Sequence, residues 1–252
     1  MDHTARFRAL HERGFFVMPN AWDVGSAVRL EQLGFPSIAT TSAGHAVSLG
    51  KRDQQLTFDE VCDHVARVAS AVSIPVSVDS ERLFATTPDG VAENVNILAG
   101  LGAAGVSIED YDPARGAIDP VEHAADRVEA AADAAYMHGM ILTARAENHL
   151  YGAGDLDDTI NRLLIYARAG ARCVYAPGLT DLAEIAEVVD AVDVAVNVLL
   201  LPEGPGPSLL ADLGARRAST GGSLARTAYG AMERAAATFL TDVGPPWDER
   251  SP

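Results

Sequence analysis

Asp79 and Glu81 stand two residues apart at the end of the apolar run Pro75 to Val78. A strand projects residues i and i+2 to the same side, so both carboxylates face one way. Like charges so placed repel, and a divalent cation, reached directly or through water, is the simplest way to offset them. A second run, Gly105-Val-Ser-Ile-Glu109-Asp110, also ends in acid. Other apolar runs close on polar residues too: Asn20 and Asp23 after the first, Thr40, Thr41 and Ser42 after the second, with Asp53 in the loop beyond. Arg145 and Glu147 follow the fifth run and Asn197 lies in the seventh. Carboxylates suit a hard cation, an arginine is a two-pronged donor to a carboxylate, and hydroxyl and amide groups suit oxygen anions. Plainer roles compete for several of these residues. Asp23 suits a helix N-cap, Asp53 a solvated loop, Glu147 an ion pair with Arg145, and His149 an ordinary loop position.

What must position them is a set of short apolar runs: Phe15 to Met18, Ser37 to Thr41, Pro75 to Asp79, Gly105 to Glu109, Met140 to Arg145, Arg172 to Ala176, Val194 to Leu199 and Arg216 to Thr220. Between them lie segments of helical period, among them Thr57 to Ala71, Pro88 to Leu101, Pro120 to His138, Asp155 to Ala169 and Asp181 to Val189. Strand and helix alternating eight times predict an α/β fold, a (β/α)8 TIM barrel, with a doubly wound open sheet as the alternative. Acidic residues at strand C-termini then fall where such barrels keep their chemistry. An extra helix, Thr4 to Arg13, is expected to plug the N-terminal mouth of the barrel. A last helix over Ser223 to Leu240 precedes a tail, 241–252, whose Trp247 would gain by docking on a neighbour. No linker or repeat interrupts the order, so one domain over 1–252 is expected.

With 252 residues, 48% of them hydrophobic, the chain can bury a full core. No apolar stretch is long enough to cross a membrane, and the N-terminus lacks the layout of a signal peptide, which predicts a cytoplasmic protein. A formal net charge of −16 argues against nucleic acid and anionic membrane as partners. A small anionic substrate remains compatible, given a local positive site. Cys62 and Cys173 form neither a disulfide framework nor a zinc spacing.

Segments spread along nearly the whole chain resemble the isocitrate lyase/phosphoenolpyruvate mutase superfamily. They are Pro19-Asn-Ala-Trp-Asp-Val-Gly-Ser-Ala, Ala39-Thr-Thr-Ser-Ala-Gly-His-Ala-Val-Ser-Leu-Gly-Lys-Arg-Asp53, Val78-Asp-Ser-Glu81, Gly105-Val-Ser-Ile-Glu-Asp110, Thr143-Ala-Arg145-Ala-Glu and Val196-Asn197. The resemblance implies a Mg²⁺-dependent barrel, with Mn²⁺ as an alternative, acting on a 2-oxo acid through its enolate. It implies metal roles for Asp79, Glu81 and Glu109, with Asp53 and Glu81 holding metal-bound water. Thr41, Ser42, Arg145 and Asn197 would hold the substrate's oxygens, Arg145 and Asp53 taking part in catalysis. Relatives form dimers or tetramers by exchanging the last helix, which predicts a homodimer or homotetramer here.

Departures from the pattern narrow the reaction. The lyase branch carries a cysteine loop after the fourth strand, whereas Asp110-Tyr-Asp-Pro-Ala-Arg-Gly-Ala-Ile-Asp119 has no cysteine, lysine or histidine. The lysine and asparagine of the phosphonomutase gating loop are absent as well. Where the family has a glycine-aromatic-glycine turn this chain reads Arg82-Leu-Phe84-Ala, so a different backbone path is expected, with the Arg82 charge close to the metal ligands. The leading expectation is a lyase that decarboxylates an oxaloacetate-like acid or releases pyruvate by C–C cleavage. Tyr111, Arg115, His45 and Tyr151 are candidates for closing the site or donating a proton. Chemistry at a P–C bond, or a silent protein that only binds an oxo acid, are the alternatives. Ser219-Thr-Gly-Gly-Ser223 is either a phosphate cradle on the amides of Gly221 and Gly222 or a tight turn before the last helix.

Overall fold

The computed structural model describes residues 2–241; the expected tail with Trp247 lies outside them. Its strands are β1 (Phe16–Met18), β2 (Asn20–Ala21), β3 (Ile38–Thr40), β4 (Val76–Val78), β5 (Gly105–Glu109), β6 (Tyr111–Asp112), β7 (Ala117–Ile118), β8 (Ile141–Arg145), β9 (Cys173–Tyr175), β10 (Ala195–Leu199) and β11 (Arg217–Ser219). The helices are α1 (His3–Glu12), α2 (Val24–Gln32), α3 (Ser42–Ser48), α4 (Phe58–Ala71), α5 (Pro88–Gly100), α6 (Val121–Met137), α7 (Leu156–Arg168), α8 (Leu182–Ala191), α9 (Pro207–Asp212) and α10 (Ser223–Ala237).

Nine of these strands form one parallel sheet in the order β1-β11-β10-β9-β8-β5-β4-β3-β2. Its two edges, β1 and β2, are halves of one strand divided at Pro19. Proline has no N–H to give a ladder, so the chain changes neighbour there: β1 pairs with β11 and β2 with β3. The sheet thereby closes into the expected TIM-type barrel, with helices packed outside it.

Local chemistry sets most helix starts. Asp23 and Thr57 each form a reciprocal capping box, with Ser26 and Glu60, and Thr87, Asp155 and Asp181 cap α5, α7 and α8. Each such cap contributes about 1 kcal/mol. The plainer role of Asp23 is therefore the one it fills. Between sheet and helices lies a core rich in valine, leucine and alanine; buried Ala124, Ala131 and Ala135 let α6 lie close against the strands.

Helix α1 closes the barrel's N-terminal end as expected. Phe7 is fully buried among Phe16, Met18, Ala104 and Ile141. Gly105 makes room for it, since a Cβ there would sit 2.6 Å from the Phe7 ring. His11 of the same helix meets Phe7 O at 2.8 Å and the Arg217 guanidinium at 3.1 Å. Burial and the Arg217 charge lower its pKa to about 3, so it stays neutral and accepts from Arg217.

Three elements were not anticipated. Helix α3 and helix α9 are short, and β6 and β7 form an antiparallel hairpin within the stretch after the fourth barrel strand.

Candidate active site

The strand register brings the acids and Arg145 together. Glu109 lies opposite Arg145 across β5 and β8, and Arg145 lies opposite Tyr175 across β8 and β9. From the end of β8 the Arg145 guanidinium reaches three carboxylates: Nη1 meets Asp79 Oδ1 at 2.8 Å, Nη2 meets Glu109 Oε2 at 3.3 Å, and Nε meets Glu147 Oε1 at 2.7 Å. Its central carbon also stands 5.3 Å over the Tyr175 ring, a favourable cation–π placement.

Helix α3 positions the other side. Thr41 caps it by accepting from the Gly44 amide, which leaves Ser42 free to donate both its amide and its hydroxyl to Asp79 Oδ2, each at 2.9 Å. The Asp79 amide in turn donates to Thr40 Oγ1 at 2.9 Å. In the loop beyond, Gln54 adopts φ +62° and donates from Nε2 to Glu109 Oε1 at 2.8 Å. Gln54 was missed in sequence, and only its place beside Asp53 hinted at it.

These residues line one cavity of about 300 Å³ at the C-terminal ends of the strands. Thr41, Ser42, Asp53, Asp79, Glu109, Arg145, Glu147 and Asn197 all face it. Glu81 does not; it is buried in the turn after β4 with Oε1 lacking a partner. Asn197 is held low in the barrel, donating to Ser219 Oγ at 2.9 Å and accepting from Arg217 Nε at 2.8 Å.

The acids are under electrostatic load. Burial, then the charges of Asp79 and Asp53, raise the Glu81 pKa to about 8. Burial pushes Glu109 well above the usual carboxylate range despite Arg145, and Glu147 is raised by burial against the same opposing charge. Asp53 is raised by partial loss of water and by Asp79. More carboxylates converge here than Arg145 alone can keep ionised, and in the adjoining turn a buried Glu81 oxygen has no protein donor. Both features, with an all-oxygen donor set, fit a hard cation. Among the described residues no group of three or more His, Cys, Asp and Glu side chains is arranged to hold a metal by itself.

One expectation needs correction. Arg82 does not approach the metal-ligand candidates: its guanidinium meets Asp119 at 2.7 Å and Asp112 at 3.5 Å, tying down the β6–β7 hairpin instead. The turn around it has left-handed backbone, with φ +47° at Glu81, +59° at Leu83 and +52° at Phe84. Three carbonyls of this strained segment are held from outside, Leu83 O by Asn94 Nδ2 at 2.8 Å and those of Arg82 and Ala85 by Arg127. The segment Ser219 to Ser223 takes the second of its two readings. The Gly221 and Thr220 amides both donate to Asn20 Oδ1 at 2.9 Å, so the segment is the tight turn.

Of the four candidates for closure or proton donation, Tyr151 lines the cavity. Tyr111 stacks on it at 3.9 Å between ring centres, and Arg115 is bound to Asp112 and Asp119. His45 lies in a separate pocket, stacked on His64. Asp110 supports the site from behind, accepting the Glu147 amide at 2.8 Å while Tyr166 and Arg162 hold its other oxygen.

The family model for phosphoenolpyruvate phosphomutase matches residues 7–240. A crystal structure of a candidate lyase/mutase from Burkholderia cenocepacia J2315 superposes with a TM-score of 0.91 at 46% identity, covering 95% of this chain and 89% of the other. Protein Rv1998c of Mycobacterium tuberculosis is 35% identical over 85% of this chain and 81% of its own. The 2-methylisocitrate lyase of Escherichia coli K12 is 30% identical over 74% and 65%, and an oxaloacetate decarboxylase of Bradyrhizobium is 28% identical over 77% and 68%. With sequence match and barrel in agreement, the chain belongs to the phosphoenolpyruvate phosphomutase family, within the superfamily of isocitrate lyase-type lyases and mutases.

Proposed function

We propose that the protein is a Mg²⁺-dependent carbon–carbon lyase acting on a small 2-oxo or 2-hydroxy carboxylate, by decarboxylation of an oxaloacetate-like acid or by cleavage that releases pyruvate. The observation that carries this reading is the convergence of Asp79, Glu109 and Arg145 on one cavity of about 300 Å³. Asp79 and Glu109 would hold the cation, with Asp53 orienting its water. When bound, the cation supplies Lewis-acid stabilisation of the oxyanion that develops on the 2-oxo group. Arg145 keeps the acids fixed and adds positive charge beside that oxyanion. Helix α10 carries exposed Met232 and is followed by exposed Leu240, which supports its exchange with a second copy of the chain.

In this reading Tyr151, on the cavity wall, donates the proton in place of a loop cysteine. Burial and the nearby Glu109 and Glu147 charges push its phenol well up, so it holds its proton at neutral pH. In decarboxylation CO₂ departs and leaves its bonding pair in the enolate; the enolate carbon then takes the Tyr151 proton, and the phenolate is reprotonated from solvent. Tyr151→Phe is expected to lower kcat about 100-fold with KM little changed, measured by steady-state pyruvate release. A kcat within threefold of the native value assigns the proton to another group.

Calorimetric titration of oxalate, an enolate mimic, with and without Mg²⁺ tests the site as a whole. Native protein is expected to bind oxalate only with Mg²⁺, and Asp79→Ala to abolish that binding. Metal-independent binding, or binding indifferent to the substitution, counts against the reading. The family match favours one second reading, chemistry at a P–C bond; phosphonopyruvate turned over in preference to oxaloacetate would select it. Oxalate binding without turnover of any 2-oxo acid would mark a silent oxo-acid binder.

A further inference from the structure

Two loops leave the paired strands β5 and β8 and meet beside the cavity. One is the β6–β7 hairpin, which begins at Tyr111; the other is the turn that carries Tyr151. They are joined where they leave the barrel, because Asp110 Oδ1 accepts the Glu147 amide at 2.8 Å and the Glu147 carbonyl accepts the Tyr151 amide at 3.1 Å. Beyond that junction the Tyr111 and Tyr151 rings lie 3.9 Å apart, centre to centre, and within 5° of parallel. Rings stacked in this way bury one face of each and favour a single orientation of both.

The hairpin is not free to carry its tyrosine away. Tyr111 lies opposite Ile118 in the β6–β7 ladder. Asp119, 1% exposed, closes the hairpin: its amide donates to Asp110 O at 2.7 Å, and its carboxylate meets Arg82 at 2.7 Å, Arg127 at 3.4 Å and Arg115. Asp112 pairs with Arg115 at 2.8 Å and Arg82 at 3.5 Å, and Arg162 donates to the Asp119 carbonyl at 3.1 Å. Arg82, Arg127 and Arg162 come from the turn after β4, from α6 and from α7, so three separate elements lash the hairpin down. The tip of the other loop has lighter ties. Tyr151 is 46% exposed, and Gly152 and Ala153 donate only to the carbonyls of His149 and Asn148 within the same turn.

We propose that Tyr111 is a positioning residue: the pinned hairpin is a fixed wall of the site, and through the Tyr111 ring it holds the Tyr151 phenol on the cavity. This rests on the proton-donor role given to Tyr151 above and deepens it, because it names what aims the donor. Contact through a ring face is geometry rather than charge, so phenylalanine serves at 111 and an aliphatic side chain does not. The competing role is a lid, a hairpin that opens and closes over substrate.

Amide hydrogen exchange and steady-state kinetics separate these roles. In the native protein, oxalate with Mg²⁺ is expected to leave exchange over 110–119 within twofold of its free value. Tyr111→Leu is expected to speed exchange over 147–153 about tenfold or more, because a turn that loses its anchor opens more often. It should also lower kcat about tenfold with KM little changed, the cost of a misplaced donor, and Tyr111→Phe should restore both to near native. Oxalate slowing exchange over 110–119 tenfold would make the hairpin a lid and end the proposal. Unchanged exchange over 147–153 in Tyr111→Leu, or a Tyr111→Phe variant as impaired as Tyr111→Leu, would equally overturn it. A native kcat in Tyr151→Phe, or native protein that does not bind oxalate, is a different failure, that of the reading above; exchange over 147–153 in Tyr111→Leu then still decides whether the hairpin holds the turn.

Discussion

Arg145→Met is expected to abolish measurable turnover, lowering kcat/KM by about 10³-fold or more, the scale of losing a fixed positive donor at a developing oxyanion. The reason lies in what the guanidinium holds. Asp79, Glu109 and Glu147 each spend an oxygen on it, and two of the three are almost wholly buried. Without the cation those acids face one another uncompensated, and breaking a buried ion pair from one side costs roughly 3–5 kcal/mol. The same variant should therefore unfold at lower denaturant concentration. Arg145→Lys should rescue little, because one ammonium cannot reach three carboxylates in three directions. Steady-state kinetics and urea unfolding on both variants check this; activity within tenfold of native in Arg145→Met would remove Arg145 from the centre of the site.

Arg127→Met should give the largest loss of stability away from the cavity. Arg127 is 1% exposed, yet it bonds the carbonyls of Arg82 and Ala85 and approaches Asp119 at 3.4 Å. Burial and the neighbouring Arg82 charge lower its pKa to about 10, still far above neutrality, so it remains charged. Its loss frees two carbonyls of a turn held in left-handed backbone by Leu83 and Phe84, and strips one partner from buried Asp119. A cost of about 3 kcal/mol follows from breaking such a pair, seen as a lower urea midpoint at unchanged slope. Since that turn follows directly on Asp79, which faces the cavity, Mg²⁺-dependent oxalate binding should weaken as well. A midpoint shift under 1 kcal/mol equivalent would mean that the turn holds itself.

Much of the site was legible because its parts are local. Asp79, Glu109 and Arg145 end β-branched runs, and strand alternation together with the strand-to-helix rhythm puts such ends on one rim. Cap residues such as Asp23 and Thr57 were equally readable, since a cap depends on its next three residues. Helix α3 was missed because Ser42-Ala-Gly-His-Ala-Val-Ser48 is short, contains glycine and lacks a clear apolar stripe. Arg82 was misplaced because adjacency to Asp79 and Glu81 in the chain says nothing about where a long side chain finds its partner; Asp119 lies 37 positions away.

The amino-acid order alone determined the barrel and the rim on which its acids gather, because strand period and helix period act over a few residues. Only the tertiary structure decided which groups meet across loops. It put Gln54 on Glu109, Tyr151 rather than His45 beside the cavity, and Arg82 on the hairpin. Those contacts join segments far apart in sequence, brought together because parallel pairing sets the ends of neighbouring strands side by side around the barrel.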